Sequence, residues 1–357
     1  MQRRAFLERS LAGGMLLGQN VAAQQLAAQQ LEGQQLAAQQ PAAQQPAAQP
    51  PASGQPALRE AQAGGTGSTA YDVEVAIERR REGKPHRGKV LAAIQPHCDD
   101  IAIFAGGTVL KLIDEGYQGI LITVSDDSMA GTGSSIGDIV LKNENDTREV
   151  ARRLGLQEAI FLNYPNHNFD AWPIVELRAR LIFLFRAYKV DTVMVYDPSA
   201  LYERNPDHYI TAKAVESAAW MAGSAWDYPE HFKVGLTPHA PQDTYYFARG
   251  PQLVNRVVDT SGFIDQKVAA NLANVTQGPA GNQGAALRRR LAEQGRRLPL
   301  LGNDDDTANA AYTKQFALGR DRVRGEKYGL AYAEYFHYIP PDESDLDDYV
   351  RANAVPL

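Results

Sequence analysis

Cysteine is almost absent from this chain of 357 residues, which contains only Cys98. A single cysteine excludes an intramolecular disulfide framework and any zinc site built from several thiolates. An excess of basic residues is also missing, because 36 Lys and Arg stand against 42 Asp and Glu and leave a net charge of −6. Nucleic acid is therefore not expected as the main partner, since phosphate binding needs a basic face.

Aromatic and β-branched residues are nearly missing from the N-terminal part of the chain. Residues 24–56 repeat a unit of five residues, first Gln-Gln-Leu-Ala-Ala and later Gln-Gln-Pro-Ala-Ala. Such a segment cannot bury enough apolar surface to offset its chain entropy. We therefore expect a low-complexity, disordered linker over residues 24–70, with a transient Ala/Gln helix in its first half as the alternative.

A long apolar run is missing at the N-terminus as well. The paired Arg3 and Arg4 precede a modest apolar stretch at 10–17 and small residues at 21–23. This order is typical of a twin-arginine export signal, and the apolar stretch is too short for a stable bilayer anchor. We predict a signal peptide over residues 1–23, a periplasmic or secreted protein, and no membrane span after cleavage.

What is present after the linker is a regular alternation of strand and helix patterns over about 285 residues, enough for one large α/β domain. Strands are predicted at 90–95, 119–125, 159–163 and 192–196, and helices at 104–115, 138–154, 173–188 and 207–222. The alternation predicts a Rossmann-like, doubly wound, mostly parallel sheet with helices on both faces.

The segments around this alternation are less regular. We expect an amphipathic helix at 73–81, strands at 245–248 and 254–258, a helix at 266–272 and an apolar segment at 330–336 that packs back onto the sheet. The folded domain is predicted over 71–345, with a lid or insertion at 276–330 and a C-terminal tail at 346–357.

Chargeable residues follow the first strand of the alternation, in Gln95-Pro96-His97-Cys98-Asp99-Asp100. The carboxyl end of a strand is where ligands gather in open α/β sheets. Because burying bare charge is costly, these side chains must be solvated, paired or bound to a metal. His and Asp suit zinc or another divalent metal, and a carboxylate that stays off the metal can act as a base.

A second motif, Asn205-Pro206-Asp207-His208, follows the strand at 192–196 and starts a helix. The two motifs leave the same edge of the predicted sheet. They therefore predict a metal set with a position open for water, which Asp99 would face. The predicted ligands are His97, Asp100 and His208. A packed or capping role for His97 and a plain helix-capping role for Asp207 are the alternatives.

Five motifs occur in one order: Pro96-His97-x-Asp99-Asp100, Gly106-Gly107-Thr108, Leu154-Gly155, Tyr196-Asp197-Pro198 and Pro206-Asp207-His208. Together they resemble the zinc-dependent de-N-acetylases of the PIG-L/LmbE-like family, over roughly residues 85–275. That family removes N-acetyl groups, mostly from molecules containing N-acetylglucosamine, on a Rossmann-like fold. The resemblance implies zinc bound by His97, Asp100 and His208, Asp99 as general base, and Asp207 as support for a histidine.

Several positions depart from the family. Asn143 falls near the position where family members have a substrate-binding arginine, Asn205 replaces a histidine that helps to stabilise the transition state, and Asn274 replaces a later histidine. Further substrate contacts are predicted at His167 and Asp170, in a loop after the strand at 159–163. Either Tyr202, our predicted contact, or Glu203 occupies the position of the family's tyrosine.

We therefore predict an exported enzyme that removes an N-acetyl group from an amino sugar or a glycoconjugate containing N-acetylglucosamine. Zinc is the expected cofactor, and another divalent metal is the alternative. A carbohydrate-binding member with weakened catalysis is the alternative function, motivated by Asn143 and Asn205. A nucleotide-binding protein is disfavoured because no Gly-x-Gly-x-x-Gly follows the strand at 90–95. The sequence leaves the oligomeric state open.

Overall fold

Strands and helices alternate along this computed structural model, which describes residues 74–277, 281–341 and 345–356. The strands are β1 Ala76–Glu78, β2 Val90–Gln95, β3 Gln118–Ser125, β4 Glu158–Tyr164, β5 Thr192–Tyr196, β6 Asp243–Phe247, β7 Arg256–Asp259 and β8 Ala333–Ile339. The helices are α1 Asp100–Phe104, α2 Gly106–Asp114, α3 Ile136–Arg153, α4 Ile174–Tyr188, α5 Pro206–Ala222, α6 Ile264–Asn271, α7 Gln283–Glu293, α8 Asp305–Tyr312, α9 Gly319–Glu326 and α10 Asp345–Asn353. The predicted signal peptide and linker lie outside the described residues.

The strands pair into one sheet with the order β1-β7-β8-β6-β5-β2-β3-β4. Strand β2 lies between β3 and β5 and pairs in parallel with both. Strand β8 is antiparallel to β6 and β7, so the apolar segment predicted at 330–336 does return to the sheet. The predicted doubly wound, mostly parallel α/β architecture is confirmed.

Strand β2 is buried on both faces. Leu91 and Ala93 pack on the face covered by α2, α3 and α6, whereas Ala92 and Ile94 pack on the face covered by α4 and α5. Successive strand residues point to opposite faces, so a doubly covered strand is apolar at every position. Each leucine-sized side chain buried in this way contributes about 2 kcal/mol to the free energy of folding.

Two local predictions are corrected. The helix expected at 73–81 is wrong, because residues 76–78 form β1 and pair in parallel with β7. The helix expected at 104–115 is broken at Ala105, where α1 ends and α2 begins. The predicted tail starts with helix α10. No helix among the described residues has the length and hydropathy needed to cross a bilayer.

The segment predicted as a lid or insertion is helical where it is described. It contains α7, α8 and α9, with a π-helical turn, Thr313–Ala317, between the last two. A buried ion cluster attaches α9 to the rest of the domain, because Lys267 Nζ lies 2.5 Å from Asp321 Oδ2 and 2.6 Å from Glu334 Oε1. Lys267 belongs to α6 and Glu334 to β8, so this cluster fixes the helix against the sheet.

Candidate metal centre

The two sequence motifs meet at one edge of the sheet. Strands β2 and β5 are parallel neighbours, so their carboxyl ends lie side by side. Asp100 opens α1 after β2, and His208 lies in the first turn of α5 after β5. Together with His97 they form a fully buried group whose ligand atoms all lie within 4.8 Å of one another.

The three side chains converge on a common point. His97 Nδ1 lies 3.0 Å from His208 Nε2 and 3.5 Å from Asp100 Oδ2, and His208 Nε2 lies 3.8 Å from Asp100 Oδ1. Zinc ligands at about 2.0–2.2 Å in tetrahedral geometry lie roughly 3.3–3.6 Å from each other. Both the donor atoms and their spacing therefore suit zinc or a similar divalent cation.

Each candidate ligand is held by an outer partner. Asp207 Oδ2 lies 3.1 Å from His97 Nε2, and the hydroxyl of Tyr196 donates to Asp100 Oδ1 at 2.7 Å. Glu203 Oε2 lies 3.3 Å from His208 Nδ1, an ion-pair distance although the angle falls short of a hydrogen bond. Carboxylates behind both histidines favour a proton on the outer nitrogens and lone pairs on the inner ones.

That arrangement tests whether a cation fits the site. His97 Nδ1 and His208 Nε2 lie 3.0 Å apart, a distance at which the two rings must share either a proton or a cation. Two lone pairs repel at this distance, and a bound cation removes the repulsion. The residues present therefore fit a metal ion.

Asp99 and Asp100 differ in ionisation although they are adjacent. Burial, and then the charge of Asp100, raises the pKa of Asp99 to about 6. Burial would also raise the pKa of Asp100, but the charge of His208 and the hydrogen bond to His97 outweigh it and lower that pKa to about 2. Such a separation suits one carboxylate that stays ionised and one that exchanges protons near neutral pH.

A cavity of about 480 Å³ opens over these side chains, a size typical of small-molecule sites. Asp99, Asn205 and His167 line this cavity together with the candidate metal ligands. Asn205 also caps α5, because its Oδ1 accepts from the backbone N of Asp207 at 3.0 Å. The ring of His167 lies 6.0 Å from that of His97. The structure thus brings all of these predicted residues together.

Three predicted substrate residues lie outside the cavity. Asn143 is buried in α3 and donates its amide hydrogens to the carbonyls of Asp127 at 3.1 Å and Ala130 at 3.0 Å, so it supports a loop instead. Asp170 is exposed in a short turn, and Tyr202 is 81% exposed with a φ of 60°. The structure therefore does not support direct substrate contact by these three side chains.

Other residues were not singled out from the sequence. Buried Asp127 accepts from the backbone N of Cys98 at 2.9 Å and so holds the first motif in place. It follows β3 at the edge where β2 ends, a position that could have identified it. Arg249, just beyond β6, pairs with Glu203 behind His208. Asn274, which was already named from the sequence, is buried, and its amide has no hydrogen-bond partner among the described residues.

A second group of potential ligands shares His97. The other ring nitrogen of His97 lies near Asp207 and His167, and the ligand atoms of these three residues also fall within 4.8 Å of one another. His167 is exposed, whereas all members of the first group are buried. The first group is therefore the better enclosed of the two.

Fold and site together define an α/β protein with a candidate metal centre at the carboxyl edge of its sheet. Residues 92–219 match the PIG-L family model, described as GlcNAc-PI de-N-acetylase. The resemblance to the PIG-L/LmbE-like family that the motifs predict is thereby confirmed. It is 27% identical over 194 residues to the diacetylchitobiose deacetylase of Thermococcus kodakarensis, a match that covers 54% of this chain and 71% of the relative.

Solved structures share the fold. The N,N'-diacetylchitobiose deacetylase of Pyrococcus horikoshii, in complex with its inhibitor MPG, has a TM-score of 0.56 at 24% identity and covers 71% of this chain and 84% of its own. The conserved protein TT1542 of Thermus thermophilus has a TM-score of 0.52 at 22% identity, with 71% and 96% covered. GalB, the 4-carboxy-2-hydroxymuconate hydratase of Pseudomonas putida, has a TM-score of 0.51 at 14% identity, with 72% and 98% covered.

Proposed function

We propose that this protein is a zinc-dependent hydrolase that removes an N-acetyl group from an amino sugar or a glycoconjugate containing N-acetylglucosamine. The observation that carries the proposal is the buried group of His97, Asp100 and His208 at the base of the cavity, with Asp99 in the cavity wall. The match of residues 92–219 to a de-N-acetylase family model and the relative named a diacetylchitobiose deacetylase support the same reaction.

The reaction needs an activated water, a base and a proton for the leaving amine. A divalent cation held by the three ligands would act as a Lewis acid that polarises the amide carbonyl and lowers the pKa of water. Asp99 accepts a proton from the water while the water oxygen forms a bond to the amide carbon. Asp99 then returns a proton to the amide nitrogen as the C–N bond breaks. Asp207 keeps His97 oriented throughout by its contact with Nε2.

Substitution of Asp99 tests this function. The zinc-loaded chain should release amine from N,N'-diacetylchitobiose or N-acetylglucosamine, and Asp99→Asn should lower kcat by about 10²–10⁴-fold, the usual contribution of a general base. The bound zinc per chain should stay unchanged, because Asp99 is not a ligand. Asp170→Asn is the matched control, since it removes an exposed carboxylate outside the cavity. Equal loss in both variants would argue against Asp99 as the base.

A carbohydrate-binding role without efficient hydrolysis is the second candidate. The observation that favours it is Asn205, whose carbonyl oxygen is already engaged in capping α5. An amide also brings no positive charge to a developing oxyanion. Binding of amino sugars by the metal-loaded protein without release of amine would select this role.

We also propose export to the periplasm or beyond the cell, on the strength of Arg3 and Arg4 and the apolar stretch that follows. Replacement of both arginines by lysine should retain the protein in the cytoplasm, as measured by cell fractionation. Unchanged export of that variant would contradict a twin-arginine signal.

A further inference from the structure

Part of the cavity wall comes from the helical segment after α7. Tyr312 ends α8, Phe316 lies in the π-helical turn and Arg320 lies in the first turn of α9, and all three line the cavity. π-Helical turns are rare and occur often at functional sites, because the extra residue displaces side chains from their helical positions. Phe316 is 50% exposed and its ring lies 5.3 Å from that of Tyr312.

Arg320 differs from the other arginines nearby. Its guanidinium lies over the ring of Phe104, 5.0 Å from the centroid, and Nη1 lies 3.4 Å from the carbonyl oxygen of Arg249. No carboxylate lies within ion-pair distance of it in the part of the chain that the structure describes. By contrast, Arg249 pairs with Glu203, and Arg322 pairs with Glu326.

The position of Arg320 is fixed from two sides. The next residue, Asp321, is bound to buried Lys267, so the start of α9 is held to the domain. Phe104, which supports the guanidinium, packs in turn against Phe247, with 5.8 Å between ring centroids. A cation that is already ordered loses little side-chain entropy on binding a ligand.

The cavity is therefore lined by charges of both signs. Asp99 and Asp100 line it as acidic residues, and Arg320 lines it as a cation without a carboxylate partner among the described residues. The ring of Phe104 lies 5.7 Å from that of Tyr196, which stacks on His208 at 4.1 Å. A chain of ring contacts through Phe104 and Tyr196 thus leads from the guanidinium to His208.

We propose that Arg320, Tyr312 and Phe316 form a subsite for an anionic substituent of the amino sugar and for the ring that carries it. The proposal rests on the deacetylase function above and narrows its substrate class to N-acetylated amino sugars that bear a phosphate or carboxylate. A guanidinium binds either anion through paired N–H donors, and aromatic faces pack against the apolar faces of sugar rings. The N-acetyl group then lies at the candidate metal ligands His97, Asp100 and His208.

Calorimetry on the zinc-loaded full chain tests this subsite without turnover. Glucosamine 6-phosphate should bind with a Kd about tenfold lower than that of glucosamine, because a charge-assisted hydrogen-bond pair is added. In Arg320→Gln the two Kd values should become equal within about twofold. Arg322→Gln is the matched control, since it removes one charge from the same helix outside the cavity and should keep the full preference.

Further measurements separate the sources of the anion and the effects on folding. The Kd of muramic acid, which carries a carboxylate instead of a phosphate, should be compared with that of glucosamine. Titration with inorganic phosphate alone measures how strongly phosphate binds to the metal directly. Arg320→Lys keeps the charge and should retain part of the preference, and the Tm of each variant reports its folding. Equal affinities in the unmodified protein, a preference that survives in Arg320→Gln, or no binding of either sugar would overturn the subsite.

The subsite and the proposed reaction can fail separately. A preference for the anionic sugar that depends on Arg320, without any release of amine from N-acetylated sugars, would overturn the reaction and leave the subsite standing. Release of amine at equal kcat/KM from N-acetylglucosamine and its 6-phosphate would leave the reaction standing and overturn the subsite.

Discussion

His97 Nδ1 and His208 Nε2 lie 3.0 Å apart although 111 positions separate them in the sequence. Each ring is backed by a carboxylate on its other nitrogen, Asp207 behind His97 and Glu203 behind His208. When the outer nitrogens carry the protons, the two inner lone pairs face each other, and a divalent cation accepts both of them. The site is therefore expected to be less stable without metal than with it.

Metal removal should lower thermal stability. A ligand that binds only the folded state at 100 times its Kd stabilises that state by about 2.7 kcal/mol. Chelation should therefore lower the Tm by several degrees, and added zinc should restore it. His208→Ala should be insensitive to both treatments in the same calorimetric scan. A Tm that does not respond to chelation in the unmodified protein would contradict a structural contribution of the metal.

The outer carboxylates should set metal affinity. Asp207→Asn removes the negative charge behind His97. Substitution of such an outer partner typically lowers metal affinity by about 10–100-fold. Competition with a zinc indicator measures this change. Glu216→Gln, on the exposed side of α5, serves as the control and should leave the affinity unchanged. Equal zinc affinity in all three proteins would show that Asp207 does not affect zinc binding through His97.

The buried cluster of Lys267, Asp321 and Glu334 should make stability depend on pH. Glu334 also accepts from the backbone N of Gly107 and of Thr108, both at 2.8 Å, so its negative charge is well stabilised. Asp321 Oδ1 has no partner among the described residues. Burial raises the pKa of Asp321 from 3.8 to about 6, although the charge of Lys267 opposes the rise.

The stabilisation by Asp321 should decrease as the pH rises. Because the pKa of Asp321 is higher in the folded than in the unfolded state, its contribution to stability is complete below about pH 4 and is lost as the pH rises through about 6. This pH-dependent part of the free energy of unfolding should be absent from Asp321→Asn. Urea unfolding of both proteins from pH 4 to 7 measures it as the difference between their free energies of unfolding. A difference that stays constant over this pH range would contradict the raised pKa of Asp321.

A methyl group at Gly107 should destabilise the fold. A Cβ there would lie 2.7 Å from Thr260 Cβ and 3.0 Å from Glu334 Oε1. Overpacking of this kind costs about 1–3 kcal/mol, so Gly107→Ala should shift the urea midpoint to lower concentration. A Cβ at Gly262 meets nothing within 4 Å, and Gly262→Ala should leave the midpoint nearly unchanged. Similar midpoints for both variants would mean that the helix can move away from the sheet.

The sequence predicted the strands and the convergence of the two motifs because both depend on local patterns and on the parallel edge of the sheet. It failed for β1, since this short strand is defined by pairing with β7, far along the chain. It also placed Asn143 in the cavity, because position in a family motif does not give the direction of a side chain. The wall formed by Phe316 and Arg320 depends on how the insertion packs, which no local pattern reveals.

The reaction has to be argued from the site and not from the fold. One of the solved structures that share this fold is a hydratase, so the architecture alone does not select amide hydrolysis. Our proposal of amide hydrolysis therefore rests on the buried group of candidate metal ligands, on Asp99 in the same cavity and on the match to a de-N-acetylase family model.

Anomalous diffraction from crystals of the zinc-loaded protein tests the central claim most directly. The expected result is one zinc per chain within bonding distance of His97 Nδ1, His208 Nε2 and an Asp100 oxygen. A peak instead beside His167 and Asp207, or no peak at saturating zinc, would contradict the assignment of the metal centre.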